Sequence, residues 1–318
     1  MKKRSAVKTA LVTGGAGFIG SHLAEALLRR GFRVRVLDNL STGSLDNLRG
    51  LRGRIQWIRG DIRTRQTVRR AVAGVDVVFH EAAARSVPES VVAPLTYDAI
   101  NVGGTLQMLE VSRKAGVRRF IFASSSSVYG ETRPPHRETL SPAPLSPYAV
   151  SKLAGEAYCQ MVHRLHGLET VALRYFNVFG PRQSLESAYA VVVPKFIASI
   201  LRGERPPIHG DGFQSRDFTF VENVVQANLR AATAAGAPGR IFNIATGKPH
   251  SVVGLARTLA RLMGSPIRPR FGPERAGDVR DSKADVRLAR RVLRYRPTVD
   301  FETGLVRTIA WFSKRLTA

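Results

Sequence analysis

The chain is short of what a secreted or membrane-spanning protein needs. Its 318 residues include one cysteine, Cys159. A lone thiol has no partner for an internal disulfide, so nothing in the fold depends on an oxidising compartment. No stretch approaches the roughly 20 apolar residues of a transmembrane helix. The basic residues 1–8 run straight into Thr9-Ala10-Leu11-Val12-Thr13 and a glycine cluster, without the apolar core and small-residue cleavage site of a secretion signal. A soluble, cytoplasmic protein with no membrane partner is expected. Internal repeats and low-complexity tracts are missing too. With 44% hydrophobic residues the composition is that of an ordinary globular chain, long enough for one large domain or two intimate ones.

Acidic residues are also scarce, 24 against 49 lysines and arginines, which leaves a formal charge of +25. Such an excess suits nucleic acid, an anionic membrane, or an arginine-rich solvated surface. The bases are scattered as Arg29 and Arg30, Arg69 and Arg70, Arg118 and Arg119, Arg290 and Arg291, not gathered in one tract interleaved with aromatics. We therefore read them as surface and expect no nucleic-acid partner. The positive field would still help collect a doubly charged diphosphate.

Apolar runs at residues 7–13, 34–38, 55–58, 75–79, 120–123 and 170–175 read as strands, separated by segments with helical periodicity such as Ile19, Leu23, Ala26 and Leu27. Long helices are expected at 101–115 and 148–166. Strands alternating with helices imply βαβ units and a parallel sheet. After Phe176 the alternation breaks into loops rich in Gly and Pro, such as 205–212, mixed with shorter helices. We expect one domain over residues 1–176 and a smaller lobe over 177–318. The division is interleaved, with about 218–245 returning to the main sheet.

Between the first strand and the first helix lies Thr13-Gly14-Gly15-Ala16-Gly17-Phe18-Ile19-Gly20, with G-x-G-x-x-G at Gly15, Gly17 and Gly20. Glycines there permit a tight turn and let the backbone, from Gly14 to Phe18, Ile19 and Gly20, approach a pyrophosphate at the helix N-terminus. Asp38 ends the second strand, where a carboxylate binds adenosine ribose hydroxyls and repels a 2′-phosphate. The expected fold is α/β, a Rossmann-type parallel sheet flanked by helices with a smaller C-terminal α/β substrate-binding lobe, and the expected cofactor is NAD. Arg33 and Arg35, close in sequence, bear on that preference. Asp61 either approaches the adenine or caps the next helix.

Tyr148-Ala149-Val150-Ser151-Lys152 spaces a phenol and an ammonium by four residues, on one face of a helix. A phenol with an ordinary pKa near 10 is a poor base at neutral pH, and a nearby ammonium favours its phenolate. Tyr148 is thus a candidate to take a proton from a sugar hydroxyl as hydride leaves the same carbon. Ser124-Ser125-Ser126-Ser127-Val128-Tyr129-Gly130 follows a strand at the carboxyl edge, where open α/β sheets bind ligands, and its hydroxyls can orient the reacting oxygen or relay its proton.

These motifs, together with His80-Glu81-Ala82-Ala83-Ala84, Asn101-Val102-Gly103-Gly104-Thr105, Arg174-Tyr175-Phe176-Asn177-Val178-Phe179-Gly180-Pro181-Arg182, Ser215-Arg216-Asp217-Phe218 and Arg275-Ala276-Gly277-Asp278-Val279, resemble the extended short-chain dehydrogenase/reductases over nearly the whole chain. Within them the likeness is to the UDP-hexose 4-epimerases. The resemblance makes Ser125, four residues before Tyr129, the catalytic serine beside Tyr148 and Lys152. It implies that Asn101, Tyr148, Lys152 and the backbone near Tyr175 hold the nicotinamide nucleotide, with further cofactor contacts at Asn39, Asp61, Ile62, Ala82 and Ala83. Asn177, Arg216, Arg275 and Asp278 fall where relatives grip uridine diphosphate, and Ser86, Ser125, Ser126 and Val192 complete the substrate contacts. A homodimer through the helices at 101–115 and 148–166 is implied as well.

Dehydratases of the family carry carboxylates immediately after the catalytic hydroxyl, and the related decarboxylases usually keep a glutamate at the second of those positions. Here the positions hold Ser126 and Ser127. Oxidation and re-reduction at C4 is then the expected reaction, with NAD a tightly held catalyst. Another nucleotide-sugar enzyme of the family, whether dehydratase, decarboxylase or reductase, is the alternative. A non-catalytic NAD- or nucleic-acid-binding protein is the alternative from another class. Ser282, four residues after Asp278, replaces a bulky tyrosine of some epimerases, which leaves room for a 2-acetamido group. Residues 187–196 also resemble epimerases of UDP-N-acetylhexosamines. UDP-glucose and UDP-galactose are the expected substrates, with UDP-N-acetylhexosamines accepted. No metal is expected.

Overall fold

Apolar runs rich in Val, Ile and Phe form strands where both of their faces are covered. A computed structural model describes residues 8–185, 192–274 and 280–316. Its first part runs β1 (Thr9–Thr13), α1 (Phe18–Arg29), β2 (Arg33–Asp38), β3 (Ile55–Arg59), α2 (Arg65–Val72), β4 (Val77–His80), α3 (Val87–Val92), α4 (Pro94–Asp98), α5 (Gly104–Lys114), β5 (Arg119–Ser125), α6 (Pro147–His166) and β6 (Glu169–Tyr175). Then follow β7 (Val178–Phe179), α7 (Val192–Leu201), β8 (Pro207–His209), β9 (Ser215–Arg216), β10 (Thr219–Phe220), α8 (Val221–Ala231), β11 (Arg240–Ile244), β12 (His250–Ser251), α9 (Val252–Leu262), β13 (Arg270–Gly272), α10 (Arg287–Leu293) and α11 (Phe301–Leu316).

Seven strands pair in the order β11-β6-β5-β4-β1-β2-β3, every ladder parallel. This is a Rossmann-type α/β sheet. Along β1, Ala10 and Val12 enter one apolar layer with Leu23 and Leu27 of α1, while Leu11 enters the other with Met108 of α5 and Val162 of α6. The order reverses at β1, and the reversal opens a crevice beyond the carboxyl ends of β1 and β4.

The chain after Phe176 is divided between two cores. Val224 and Ala227 of α8, with Phe242 and Ile244 of β11, belong to the main layer, and β11 pairs with β6 from Arg240↔Val171 to Ile244↔Tyr175. The second core gathers α7, α9 and α11 around Phe179, Phe218, Phe220 and Phe301, whose ring centroids lie 5.6 to 6.4 Å apart.

Two local features set the site. Ser146 caps α6, its Oγ accepting from the N–H of Ala149 at 3.1 Å, and Pro147 fills the first turn. That start places Tyr148 and Lys152 in the first two turns. The helix expected at 101–115 is interrupted: a π-helical turn at Ala99–Gly103 precedes α5. The cause is Asn101, whose buried amide bonds both backbone groups of Ala84 (2.8 and 2.9 Å) and the Ser151 hydroxyl (3.0 Å), which draws the turn inward.

A buried ion pair ties α6 to β6. Arg174 donates from Nε and Nη2 to Glu156 at 2.8 and 2.7 Å, with both side chains 2% exposed. Ser124 adds its hydroxyl to Glu156 at 2.5 Å, and the Arg174 guanidinium lies 4.6 Å from the Tyr129 ring centre. Tyr129 in turn donates to Asn243 of β11 at 2.7 Å and stacks on His136 at 4.7 Å. Among the described residues no helix is long and apolar enough to cross a membrane. Removing one partner of the pair strands a buried charge, so Glu156→Ala is expected to lower the unfolding free energy by about 3–5 kcal/mol, read as a fall in the urea midpoint.

Candidate active site

The glycine loop is built for close approach. At Gly14 φ is +65° and a Cβ would lie 2.8 Å from the Ala82 backbone, and at Gly20 a Cβ would lie 2.3 Å from the carbonyl oxygen of Gly14. The loop is thereby pressed against the segment after β4 and against α1. Gly17 caps α1 without a side chain, no acid sits in its first turn, and the N–H groups of Phe18 and Ile19 meet no acceptor among the described residues. Orphaned amides at a helix start are the donors that a pyrophosphate needs, so the loop fits a dinucleotide.

Asp38 is buried beside the loop, one oxygen accepting from Ala16 N–H at 3.0 Å and the other from Leu40 N–H at 2.8 Å. Burial pushes its pKa up and these amides oppose the shift. Arg35 does not compete for a phosphate there. Its Nε bonds Gln56 at 2.8 Å, and its Nη1 bonds the carbonyls of Ala71 and Ala73 at the end of α2 at 2.5 and 2.9 Å. Asp61 pairs with Arg63 at 2.8 Å and accepts from Asn39 at 2.9 Å, which holds its carboxyl down to about 2. The cap position of α2 belongs to Thr64, so Asp61 joins the loops after β2 and β3 instead of capping that helix. Ile62 sends its side chain into the core, leaving only its backbone for a ligand.

Beyond β4, the chain is fixed from several sides. Thr13 and Thr105 hold the two ring nitrogens of buried His80 at 2.8 and 2.9 Å, and Thr13 Oγ1 also accepts from Ala82 N–H at 3.2 Å. Burial pushes the His80 pKa down to about 3, so its ring is neutral. Ala82, Ala83 and the Asn101-clamped Ala84 thus form one wall. Asn101 spends its amide on protein groups and serves the crevice by shaping that wall.

The Lys152 ammonium donates to the carbonyl of Ala123 at 2.9 Å and lies 5.9 Å from the Tyr148 ring centre. Ser125 ends β5, in register with Tyr175 of β6. Its hydroxyl accepts from Ser127 N–H at 3.1 Å, reaches Ser127 Oγ at 3.0 Å and contacts the Tyr148 phenol. The three catalytic candidates therefore meet at one place. Burial pushes Tyr148 above its ordinary pKa, while the Ser125 hydrogen bond and then the charge of exposed Arg85 pull it back. Sequence reasoning missed Arg85, a single base in a loop. It also missed Glu81, which accepts from the Tyr175 hydroxyl at 2.8 Å.

Of the substrate candidates, Ser86 caps α3 and accepts from Glu89 N–H at 3.3 Å. Ser126 is half-buried in the turn after β5, and Val192 opens α7. Asn177 stands between β6 and β7 at φ +32°, its carbonyl accepting from Thr219 N–H at 3.2 Å. Arg216 donates to the carbonyls of Ser215 and Arg280 at 2.8 and 3.2 Å. Arg275 and Asp278 lie outside the described residues, as do 187–191 of the segment 187–196.

Comparison with known proteins bears on this geometry. A family model, the NAD dependent epimerase/dehydratase family, matches residues 10–245. A UDP-glucose 4-epimerase of Mycolicibacterium smegmatis is 40% identical over 96% of this chain and 98% of its own. A UDP-N-acetyl-alpha-D-glucosaminuronate decarboxylase of Bacillus cytotoxicus is 35% identical over 98% of each chain. The structure of a UDP-N-acetylglucosamine 4-epimerase from Methanobrevibacter ruminantium M1, in complex with UDP-N-acetylmuramic acid, superposes with a TM-score of 0.93 at 39% identity, covering 97% of this chain and 99% of that one. The contact distances at the glycine loop predict that Gly20→Ala weakens NADH binding by at least about tenfold, a loss of some 1.4 kcal/mol, measured by titrating nicotinamide fluorescence.

Proposed function

The chain belongs to the NAD-dependent epimerase/dehydratase family, and from that premise we propose that it inverts C4 of a UDP-hexose through a transient 4-keto sugar. The observation that carries this reading is the serine loop. The two positions after Ser125, where a second acid or base would have to stand, hold Ser126 and Ser127, and Ser127 is bonded to Ser125 itself. With only hydroxyls at those two loop positions, the chemistry supported is removal and return of hydrogen at one carbon.

When bound, NAD would supply the hydride acceptor and donor, and its oxidised form would add a positive charge to the site. Phe18, Ile19 and the glycines would hold its pyrophosphate, Asp38 its adenosine ribose, and Lys152 the nicotinamide ribose. Tyr148 removes the proton from the C4 hydroxyl and later gives it back, and Ser125 orients that oxygen. Because the sugar must present its other face between the two steps, binding energy has to sit on the nucleotide. Arg216, Asn177 and Val192 are the described candidates for that grip. Ser282 sits beside β9, its N–H donating to the carbonyl of Ser215 at 3.1 Å, and its small side chain supports acceptance of 2-acetamido sugars alongside UDP-glucose and UDP-galactose.

We assign the outer face of α6 to a second copy of the chain. Val150, Ala157 and Leu165 stand exposed at helical spacing there, Val150 and Leu165 at 52% and 68%. The inner face of the same helix carries Lys152.

Purified protein given UDP-galactose, and separately UDP-N-acetylgalactosamine, without added NAD is expected to yield the 4-epimer by NMR. Tyr148→Phe should slow that conversion about 10²- to 10⁴-fold. A 4-keto or decarboxylated product from another nucleotide sugar, with neither test sugar changed, would keep the family and overturn the epimerase. For the interface, Leu165→Glu combined with Val150→Glu should halve the mass seen by light scattering.

A further inference from the structure

Glu81 is a recessed carboxylate that the proposed reaction does not use. It directly follows β4, whose last residue, His80, is in register with Phe122 of β5. The backbone of Glu81 therefore stands beside Ala123, one strand spacing of about 4.8 Å away. Ala123 is the residue whose carbonyl holds the Lys152 ammonium at 2.9 Å. Strand alternation turns the Glu81 side chain to the same face as Phe79, towards Tyr175 and α8, whereas Lys152 comes from α6 on the opposite face. A carboxylate on one face and an ammonium on the other thus stand at neighbouring points of the sheet's carboxyl edge.

The carboxylate is also provided for. Tyr175 donates its hydroxyl to Glu81 Oε1 at 2.8 Å and accepts from Asn228 of α8 at 2.8 Å, and Asn228 is anchored to the Val224 carbonyl at 3.0 Å. The neighbours of Glu81 in its own segment are Ala82, Ala83 and Ala84, so the acid stands alone in an apolar stretch. Taking a carboxylate out of water is costly without a compensating charge or donor.

We propose that Glu81 is a positioning residue, the counter-charge that keeps buried Lys152 an ammonium. The role rests on the reading that Lys152 serves Tyr148 as a cation. Burial draws the Lys152 pKa down to about 8, and Glu81 is the strongest group opposing that fall. Burial likewise lifts Glu81 to about 7, with the Tyr175 hydroxyl and Lys152 holding it back. The other groups facing Lys152 serve less well. Glu156 is committed to Arg174, His80 is neutral, the Cys159 thiol is pushed far up by burial, and Tyr148 is the group to be activated. Protonation of Glu81 at lower pH removes its support of Lys152, and loss of the Lys152 proton at higher pH removes the ammonium itself.

The test reads Lys152 itself, so it holds whichever sugar proves to be the substrate. Nine lysines are few enough for ¹³C-lysine NMR of the dinucleotide-loaded protein, with the Lys152 signal assigned by its loss in Lys152→Arg. Glu81→Gln is expected to move the Lys152 titration midpoint down by about one pH unit. Tyr175→Phe keeps the carboxylate but removes its donor, and should give a smaller shift in the same direction. It is also the fallback should Glu81→Gln fold poorly. An unchanged midpoint in a folded variant, even with a lowered melting temperature, would make Glu81 a packing residue and overturn the proposal.

Discussion

The Arg174–Glu156 ion pair is the constraint on which the geometry of the site depends. A buried pair of this kind is weak evidence for stability, because desolvation offsets much of the attraction. Its effect lies in what it forbids. Glu156 is one helical turn beyond Lys152, and Arg174 adjoins Tyr175 on the strand that pairs with the serine-bearing strand. Sliding α6 along the sheet by one residue would strand both charges. The same carboxylate takes the Ser124 hydroxyl, and the guanidinium faces Tyr129 at the far end of the serine turn. Helix, strand and loop therefore reach the crevice in one register, with Tyr148 against Ser125.

Burial acts on the reacting groups in the wrong direction. Tyr148 is pushed towards neutral phenol and Lys152 towards neutral amine, each by loss of water, although proton abstraction calls for the charged form of both. The fold answers with charges placed around them: Arg85 for the phenol, Glu81 for the amine. A dry site strengthens these interactions as well as the penalties they offset, because both scale inversely with the local dielectric. Apart from exposed Arg85, the surplus of surface arginine acts on this balance only through its long-range field.

Much of this was legible in the sequence because it is written in short periods. Alternating strands and helices, the glycine loop and the four-residue step from Tyr148 to Lys152 are patterns within a single element, and the structure places them side by side at the sheet edge. The features that escaped are contacts between distant elements. Tyr175 and Glu81 are 94 residues apart, Tyr129 and Asn243 are 114 apart, and no periodicity announces either pair. The π-turn escaped for a related reason. An amide that folds inward to bind Ala84 and Ser151 looks, in one dimension, like any residue of a helix. Asp61 shows the converse, a residue with two local roles that is held by Arg63, two residues on, and by Asn39, 22 residues away.

Arg35 adds a constraint on how the nucleotide site can change. Its guanidinium closes the end of α2 by binding the carbonyls of Ala71 and Ala73, and Asp38, three residues on, holds Ala16 and Leu40 in place through their amides. Both side chains are structural members of the site they border. A lineage drifting towards a phosphorylated dinucleotide could not simply recruit the nearby arginine and discard the acid, since each step would first unfasten a helix end or a loop. Cofactor choice is in this way coupled to folding, and a new cation would have to arise at a position that carries no such duty.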